Sequence, residues 1–255
     1  MRWNDLVDTK ATTELERLTL LEHVFDPFSI RNLDRLGVES GSRCLEVGAG
    51  AGSIARWLGD LAGPGNVVAT DLSTTYLAPL AERGIEVLRH DVTADPAPGE
   101  FDLIHCRFVL DHLPEREDAI KRMASWLKPN GWLLVECATI APEMSSHPAV
   151  RHAMEALGRV LSKTIGTHPT WARTLPQPLR GAGLEDCGAE GLVLPAEGGS
   201  AIARWMAATI KLIETPAMDT GLVTREEFDE AYAMYESPSF VDYTWITIAA
   251  WGRRR

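Results

Sequence analysis

The pattern of apolar and polar positions predicts strands and helices that alternate along the first half of the chain. Residues 43–47 form the short apolar run of a buried strand. Four apolar residues after it recur at the spacing of a helix with one buried face: Ile54, Trp57, Leu58 and Leu61. Further runs predict strands at 66–71, 85–92, 101–106 and 132–137. A helix is predicted at 115–128, just before the last of these strands.

The N-terminal part of the chain predicts more than one helix. Apolar residues among charged ones indicate amphipathic helices within 5–24. Asp26 and Pro27 are predicted to start a separate helix, because Asp is a good N-cap and Pro suits the first helical turn.

Beyond residue 138 the pattern predicts further helices around two last strands. These strands lie within 184–194 and 243–251. A long insertion separates them, with one helix opening after Ser200 and another at a capping box of Thr224 and Glu227. Aromatic and methionine side chains of the insertion suit either a lid over a pocket or plain core packing, and the sequence leaves both open: Trp205, Met206, Tyr232 and Tyr235.

A glycine-rich turn joins the strand at 43–47 to the helix that follows it. Gly48, Gly50 and Gly52 alternate there, and glycine lets bare backbone come close to a bound molecule because it lacks a Cβ. A dinucleotide fingerprint, G-x-G-x-x-G, would place glycine where Ser53 stands. It also does not ask for Glu46, whose carboxylate would repel a pyrophosphate and attract a cation.

The motif around this turn, E-x-G-x-G-x-G, resembles the first motif of class I S-adenosylmethionine-dependent methyltransferases. The likeness is to the small-molecule type, similar to the ubiquinone and menaquinone biosynthesis enzymes and to natural-product methyltransferases. Later motifs follow in the family's order across residues 41–138, and L-K-P-N-G at 127–131 resembles its L-K-P-G-G. The resemblance implies an α/β fold: a Rossmann-like, seven-stranded, mostly parallel sheet with helices on both faces, plus N-terminal helices and a helical insertion before the last strand.

The resemblance also implies which residues bind S-adenosyl-L-methionine. Asp71 ends the second strand, where a carboxylate can accept hydrogen bonds from both ribose hydroxyls, although dinucleotide folds place an acid there too. Asp91 would accept the adenine amino group, Val92 would pack on the ring, and Tyr76 matches a large side chain against adenine. The implied cofactor-binding set is Glu46, Gly48, Ala49, Gly50, Asp71, Leu72, Tyr76, Asp91, Val92 and Cys106.

His112 is the candidate general base if the acceptor is a hydroxyl or an enolisable carbon. It follows the fourth strand, at the edge where ligands of open α/β sheets bind, and an imidazole with an ordinary pKa of ~6.5 suits proton removal at neutral pH. Asp111 either orients this imidazole or acts in its place, and the sequence equally allows His112 only to cap the next helix. No metal is required, because methyl transfer is an in-line displacement at carbon.

Composition restricts the classes of partner and the cellular compartment that are expected for this chain. The net charge of -11 disfavours nucleic acid, whose phosphates need Lys and Arg, and the basic cluster at 253–255 is expected to be a solvated tail. No run approaches the ~18 to 20 apolar residues of a membrane span, so no membrane partner is expected. Four cysteines without a C-x-x-C pair indicate a reducing compartment, and a cytoplasmic location is predicted.

The chain is predicted to be a single methyltransferase domain, 1–255, with its cofactor-binding half at 41–138. Helical additions at 1–38, 140–182 and 199–238 are expected to form the acceptor pocket. The predicted function is methyl transfer to O, N or C of a small organic acceptor, in secondary metabolism or quinone-like biosynthesis. Two alternatives stay open: a nicotinamide-dependent oxidoreductase, and a protein that binds the cofactor without transferring methyl. Exposed aromatic residues on the insertion would also suit a homodimer.

Overall fold

A seven-stranded sheet organises the computed structural model, which describes residues 12–255. The strands are β1 (Cys44–Val47), β2 (Val67–Asp71), β3 (Glu86–Arg89), β4 (Phe101–Arg107), β5 (Leu127–Ile140), β6 (Glu185–Val193), β7 (Ala196–Glu197), β8 (Val241–Asp242) and β9 (Trp245–Arg253). Their order in the main sheet is β3-β2-β1-β4-β5-β9-β6, with β9 antiparallel to both of its neighbours, and β7 and β8 pair separately. The predicted mostly parallel sheet of seven strands is therefore confirmed.

Helices cover both faces of this sheet, as predicted. They are α1 (Thr12–Arg35), α2 (Ser53–Ala62), α3 (Ala78–Glu82), α4 (Arg116–Ser125), α5 (Pro148–Ile165), α6 (Gln177–Gly181), α7 (Ala201–Leu212), α8 (Glu214–Met218) and α9 (Arg225–Glu236). Successive strand residues point to opposite faces. Cys44 accordingly packs in a core with Leu58 of α2, and Leu45 packs in another core with Ile120 of α4.

The separate helix predicted to start at Asp26 and Pro27 is wrong, because α1 runs through both residues without a break. The Asp26 carboxylate does not cap a helix; it accepts hydrogen bonds from Ser53 Oγ at 3.0 Å and Arg107 Nη2 at 2.9 Å. Phe25 and Phe28 are buried on either side of the proline. This packing offsets the hydrogen bond that Pro27 removes. Of the helices predicted within 5–24, residues 1–11 lie outside the described part.

The C-terminal arginines are wrongly predicted to be a solvated tail. Arg254 exchanges backbone hydrogen bonds with the turn before the strand at 132–137, its carbonyl accepting from Asn130 N at 2.7 Å and its amide donating to Gly131 O at 2.9 Å. β5 begins at Leu127, earlier than predicted, because Leu127 pairs with Phe101 of β4. Asn130 has the left-handed φ of 67° that its place in the family motif requires.

The insertion between β6 and β9 packs into a core of its own with α5. Trp205, Met206 and Tyr235 are buried in this core, and Tyr232 stacks on Phe228 with ring centroids 6.1 Å apart. The prediction of a homodimer assumed exposed aromatic residues on the insertion. That assumption is wrong for Trp205, Tyr232 and Tyr235, which are buried or partly buried. Within the described range of the chain, none of the helices combines the length and apolar character that a membrane crossing requires.

We expect Thr224→Ala to lower the free energy of unfolding by about 1 kcal/mol, because it removes one half of an N-terminal capping box. Thr224 Oγ1 accepts from Glu227 N at 3.2 Å, and Glu227 Oε2 accepts from Thr224 N at 2.8 Å. Urea unfolding followed by circular dichroism measures the loss. Thr224→Ser keeps the hydroxyl and should stay close to wild type; equal losses in both variants would argue against the cap.

Candidate functional site

One cavity lies where the parallel strands end at their carboxyl edge, as expected for an open α/β sheet. Residues that end or follow β1, β2, β3, β4 and β5 all line it, and α1, α5 and α7 close it from above. The predicted cofactor residues line this cavity with the exception of Cys106, as do the predicted catalytic residues Asp111 and His112. Cys106 is instead buried in the core beneath the sheet with Ile104 and Ile120.

The glycine turn brings backbone to the wall of this cavity. Gly48 has a φ of 73°, and a Cβ built on it would lie 2.2 Å from Val109 Cγ2. Only glycine avoids that clash at low cost. The amides of Gly48 and Ala49 both donate to Thr70 O, at 2.8 and 2.9 Å. These hydrogen bonds hold the turn in place. The two amides are already used, so the turn favours binding by leaving room for a ligand and not by donating these hydrogen bonds to it.

Asp71 stands at the end of β2 with both carboxylate oxygens fixed. Oδ2 accepts from Gly50 N at 3.0 Å and Oδ1 accepts from Ser73 N at 3.0 Å. Burial raises the pKa of Asp71 above its usual value, and these two amides oppose that shift. Each oxygen can accept a second hydrogen bond, so the carboxylate can still receive two hydroxyl groups.

The predicted adenine end of the cavity follows β2 and β3. Asp91 Oδ1 accepts from Thr93 N at 2.9 Å and from Thr93 Oγ1 at 2.6 Å, which fixes the orientation of the carboxylate. Val92 is buried beside it, and Leu72 and Tyr76 line the same cavity. The cavity therefore brings together the residues to which the sequence assigned the ribose and the base.

A network of buried ionisable groups lies under the glycine turn. His105 Nδ1 is 2.7 Å from Glu46 Oε2, and His105 Nε2 is 3.4 Å from Glu136 Oε2. Burial alone would lower the pKa of His105, but the two carboxylates outweigh it and raise that pKa to about 9. The two carboxylates therefore favour the protonated form of the ring. Sequence analysis missed this network, although an acid or a histidine among apolar residues in each of three strands was the available signal.

The other half of the cavity is mostly apolar and aromatic. Trp205 of α7 and Trp245 of β9 meet edge to face with ring centroids 4.7 Å apart, and Phe108 packs on Trp245 at 6.0 Å. Such pairs are favourable because a positive ring edge meets a negative ring face. Aliphatic side chains of α1, β5 and α5 complete the wall: Leu18, Leu21, Ile140, Leu157 and Leu161. This half fits a small molecule with apolar surface.

Phe108 holds a strained backbone at this wall. Its φ is 53°, in the left-handed region that bulky residues rarely adopt. Its amide donates to Glu136 O at 2.8 Å, and its ring meets Phe25 at 5.0 Å, which keeps the conformation in place. Strain of this kind concentrates at functional sites. Nothing in the sequence marks it, because the sign of φ leaves no signature in a phenylalanine.

His112 is a neutral group at this cavity. Its Nδ1 lies 2.9 Å from Thr167 Oγ1. Burial, together with the guanidinium groups of Arg17 and Arg116, lowers the pKa of His112 to about 3, so the ordinary value assumed from sequence is wrong. The alternative that His112 caps the next helix is also wrong, because Glu115 is the N-cap of α4.

Asp111 is the neighbouring group that titrates near neutral pH. Burial raises the pKa of Asp111 to about 7, although Oδ2 accepts from Ala138 N at 2.9 Å. Among residues 12–255, Oδ1 has no hydrogen-bond partner. A carboxyl group with this pKa can give or take a proton at physiological pH, which a surface aspartate cannot.

Comparison with known proteins agrees with this geometry. Residues 20–187 match a family model described as a methyltransferase domain, which covers more than half of the chain. Methyltransferase str2 of Strobilurus tenacellus is 29% identical over 172 residues, covering 64% of this chain and 60% of that protein. Ubiquinone biosynthesis O-methyltransferase of Burkholderia multivorans is 28% identical over 167 residues, covering 62% of this chain and 69% of that protein.

A solved structure shares the fold over the whole chain. Phosphoethanolamine N-methyltransferase 2 of Haemonchus contortus, in complex with S-adenosyl-L-methionine, has a TM-score of 0.62 at 17% identity. The match covers 100% of this chain and 60% of that one. The chain thus spans about three fifths of this protein and of str2.

Proposed function

This chain belongs to the methyltransferase-domain family, and from that premise we propose that it transfers the methyl group of S-adenosylmethionine to a small, largely apolar acceptor. One observation carries the proposal: a single cavity joins an end with three acidic side chains, on or just after β1, β2 and β3, to an end lined by aromatic rings. The acidic residues are Glu46, Asp71 and Asp91, and the aromatic ones are Phe108, Trp205 and Trp245.

The acidic end has the donor set that the cofactor needs. When bound, S-adenosylmethionine supplies an electrophilic methyl carbon on a positively charged sulfur. Glu46 would hold its ammonium group, since a buried carboxylate strongly favours a cation beside it. Asp71 would accept both ribose hydroxyls, and Asp91 the adenine amino group. Leu72, Tyr76 and Val92 would enclose the base, while the glycine turn leaves room for the amino-acid tail.

The proposed catalytic work falls on Asp111 and His112. Asp111 would take the proton of an acceptor hydroxyl, because its raised pKa lies near the working pH. The neutral His112, whose Nδ1 would accept from Thr167 Oγ1, would donate a hydrogen bond from Nε2 to the oxygen of the same hydroxyl and so orient it. Aligning the nucleophile with the methyl group accounts for much of the acceleration in such displacements.

An apolar small molecule fits this cavity better than a nucleic acid. The described lining of the acceptor half is mostly aromatic and aliphatic, its charged residues Glu14 and Arg17 pair with each other, and the net charge of the chain is -11. The arginines at 253–255 support this reading, because they bond to backbone and carboxylate groups of the protein. We also propose a cytoplasmic location, supported by four free cysteines.

Titration calorimetry followed by methyl transfer tests the proposal. We expect purified protein to bind S-adenosylhomocysteine, and to move a tritiated methyl group from S-adenosylmethionine onto a component of a metabolite extract. Fractionating the labelled product identifies the acceptor. Binding without any transfer would favour a protein that uses the cofactor fold without methylating. No binding at all would refute the cofactor assignment.

We expect His112→Asn to lower kcat by about 10- to 100-fold while the affinity for S-adenosylhomocysteine stays unchanged. The asparagine amide takes the place of Nδ1 beside Thr167 and removes the rest of the ring. Initial rates with the identified acceptor and calorimetry with the product measure the two effects. Thr167→Val, which removes the hydroxyl partner, should give a smaller loss of kcat in the same direction. An unchanged kcat in His112→Asn would exclude a catalytic role for the ring.

A further inference from the structure

Three adjacent strands each carry one buried acidic or histidine side chain. Glu46 of β1 pairs directly with His105 of β4 in the parallel register, and Glu136 lies on β5. Of the three, Glu46 lines the cavity. A buried charge is costly unless it is paired, so the positions of these three residues depend on one another.

The imidazole of His105 bridges the two carboxylates. Its side chain is fully buried, with Nδ1 2.7 Å from Glu46 and Nε2 3.4 Å from Glu136. A ring that donates from both nitrogens fixes the plane and direction of the Glu46 carboxylate. Because the ring is flat and Glu136 anchors its far side, Glu46 cannot rotate without breaking this contact.

The far side of the bridge is itself anchored to α1, which roofs the cavity. Ser29 Oγ donates to Glu136 Oε2 and accepts from Arg107 Nη1 at 2.8 Å. Arg107 Nη2 also donates to Asp26 Oδ1 at 2.9 Å. The His105 ring therefore contacts Glu46 of the cavity wall on one side and, through Glu136 and Ser29, helix α1 on the other.

We propose that His105 is a positioning residue that holds the Glu46 carboxylate for the ammonium group of the methyl donor. This inference rests on the proposed function. His105 does not line the cavity, so it acts on the donor through Glu46. The consequence is selective: His105 should matter for ligands that carry the amino-acid tail and not for the nucleoside part alone.

Two substitutions separate the two nitrogens of the ring. His105→Gln places an amide nitrogen near the position of Nε2 and leaves Glu46 without its partner. His105→Asn places an amide nitrogen near the position of Nδ1 and keeps a neutral donor to Glu46. The probes are S-adenosylhomocysteine, which has the tail, and 5′-methylthioadenosine, which has the nucleoside without it.

We expect His105→Gln to bind S-adenosylhomocysteine at least tenfold more weakly than wild type, with the affinity for 5′-methylthioadenosine within twofold. His105→Asn should lose less affinity for the first ligand. His152→Asn is the matched control, because His152 pairs with Glu227 outside the cavity, and it should bind both ligands normally. Undiminished binding of the nucleoside also shows that each variant is folded.

Each other result has a distinct meaning. Equal weakening of both ligands, or unchanged binding of S-adenosylhomocysteine by His105→Gln, would overturn the positioning role while leaving the proposed function intact. Failure of wild type to bind S-adenosylhomocysteine would overturn the proposed function and this inference with it.

A measurement on wild type covers the case in which His105→Gln does not fold. In protein labelled with 15N-histidine, one buried ring should keep both nitrogens protonated at pH 8. Its Nδ1 resonance should move on addition of S-adenosylhomocysteine and stay in place with 5′-methylthioadenosine. A singly protonated ring, or a resonance that responds to both ligands alike, would contradict the proposal.

Discussion

Replacing Asp71 with alanine is expected to weaken the binding of S-adenosylhomocysteine by about a hundredfold or more. The carboxylate would accept two charge-assisted hydrogen bonds from the ribose, and each such bond contributes roughly 1.5 to 3 kcal/mol. The substitution also removes the acceptor for the amides of Gly50 and Ser73, which hold the glycine turn and the loop after β2. Both effects act in the same direction.

Calorimetry with two ligands gives this prediction a specific signature. The affinity for 5′-methylthioadenosine should fall as much as that for S-adenosylhomocysteine, because both carry the ribose. Asp60→Ala is the control, since Asp60 is exposed on α2 and pairs with Arg83 away from the cavity. Near-normal affinity of Asp71→Ala for either ligand would mean that the ribose does not bind at the end of β2.

That the predicted cofactor residues other than Cys106 line one cavity was predictable, because local structure fixes their places. Glu46, Asp71 and Asp91 each stand within two residues of the end of a parallel strand, so predicting the strands also places them at one edge of the sheet. The family match confirms the predicted methyltransferase domain, and the observed strand order confirms its predicted fold. The match also disfavours the nicotinamide-dependent oxidoreductase, in line with Ser53 in the glycine turn.

The acceptor half was not predictable in the same way. Its wall combines α1, α5, α7 and β9, segments far apart in sequence whose meeting depends on tertiary packing. Helical spacing alone could not show that Trp205 lines the cavity while Tyr235 on α9 fills the core. The assignment of 1–38, 140–182 and 199–238 to an acceptor pocket thus remains a proposal, supported by the lining residues that α1, α5 and α7 supply.

The pKa values of the candidate catalytic groups were also beyond the sequence. Residue type favours His112 as the base, but its pKa falls to about 3 because desolvation and two nearby guanidinium groups disfavour its charged form. The pKa of Asp111 rises to about 7 because its carboxyl group is buried with few donors. Desolvation and neighbouring charge depend on the folded chain, so they reverse the ranking that residue type suggests.

Asp111→Asn is expected to raise the free energy of unfolding relative to wild type at neutral pH. This gain should exceed the gain at pH 4 by up to about 4 kcal/mol. The unfolded chain gives up the Asp111 proton near an ordinary pKa of 3.8, whereas the folded protein keeps it until about pH 7. The contribution of Asp111 to the free energy of unfolding of wild type therefore falls as the pH rises from about 4 to 7 and is constant above pH 7. Asparagine keeps an oxygen for Ala138 N and cannot ionise.

Urea unfolding of wild type and Asp111→Asn across pH 4 to 8 measures this difference, with Asp118→Asn, at an exposed position on α4, as the control that should track wild type. Parallel pH dependence of Asp111→Asn and wild type would show that Asp111 ionises normally.

The same variant should lose methyl transfer if Asp111 takes the acceptor proton, so stability and activity should move in opposite directions. A buried carboxyl group that costs stability and yet is needed for turnover is what a base tuned by desolvation requires. A stabilised variant with full activity would instead leave His112 as the remaining candidate.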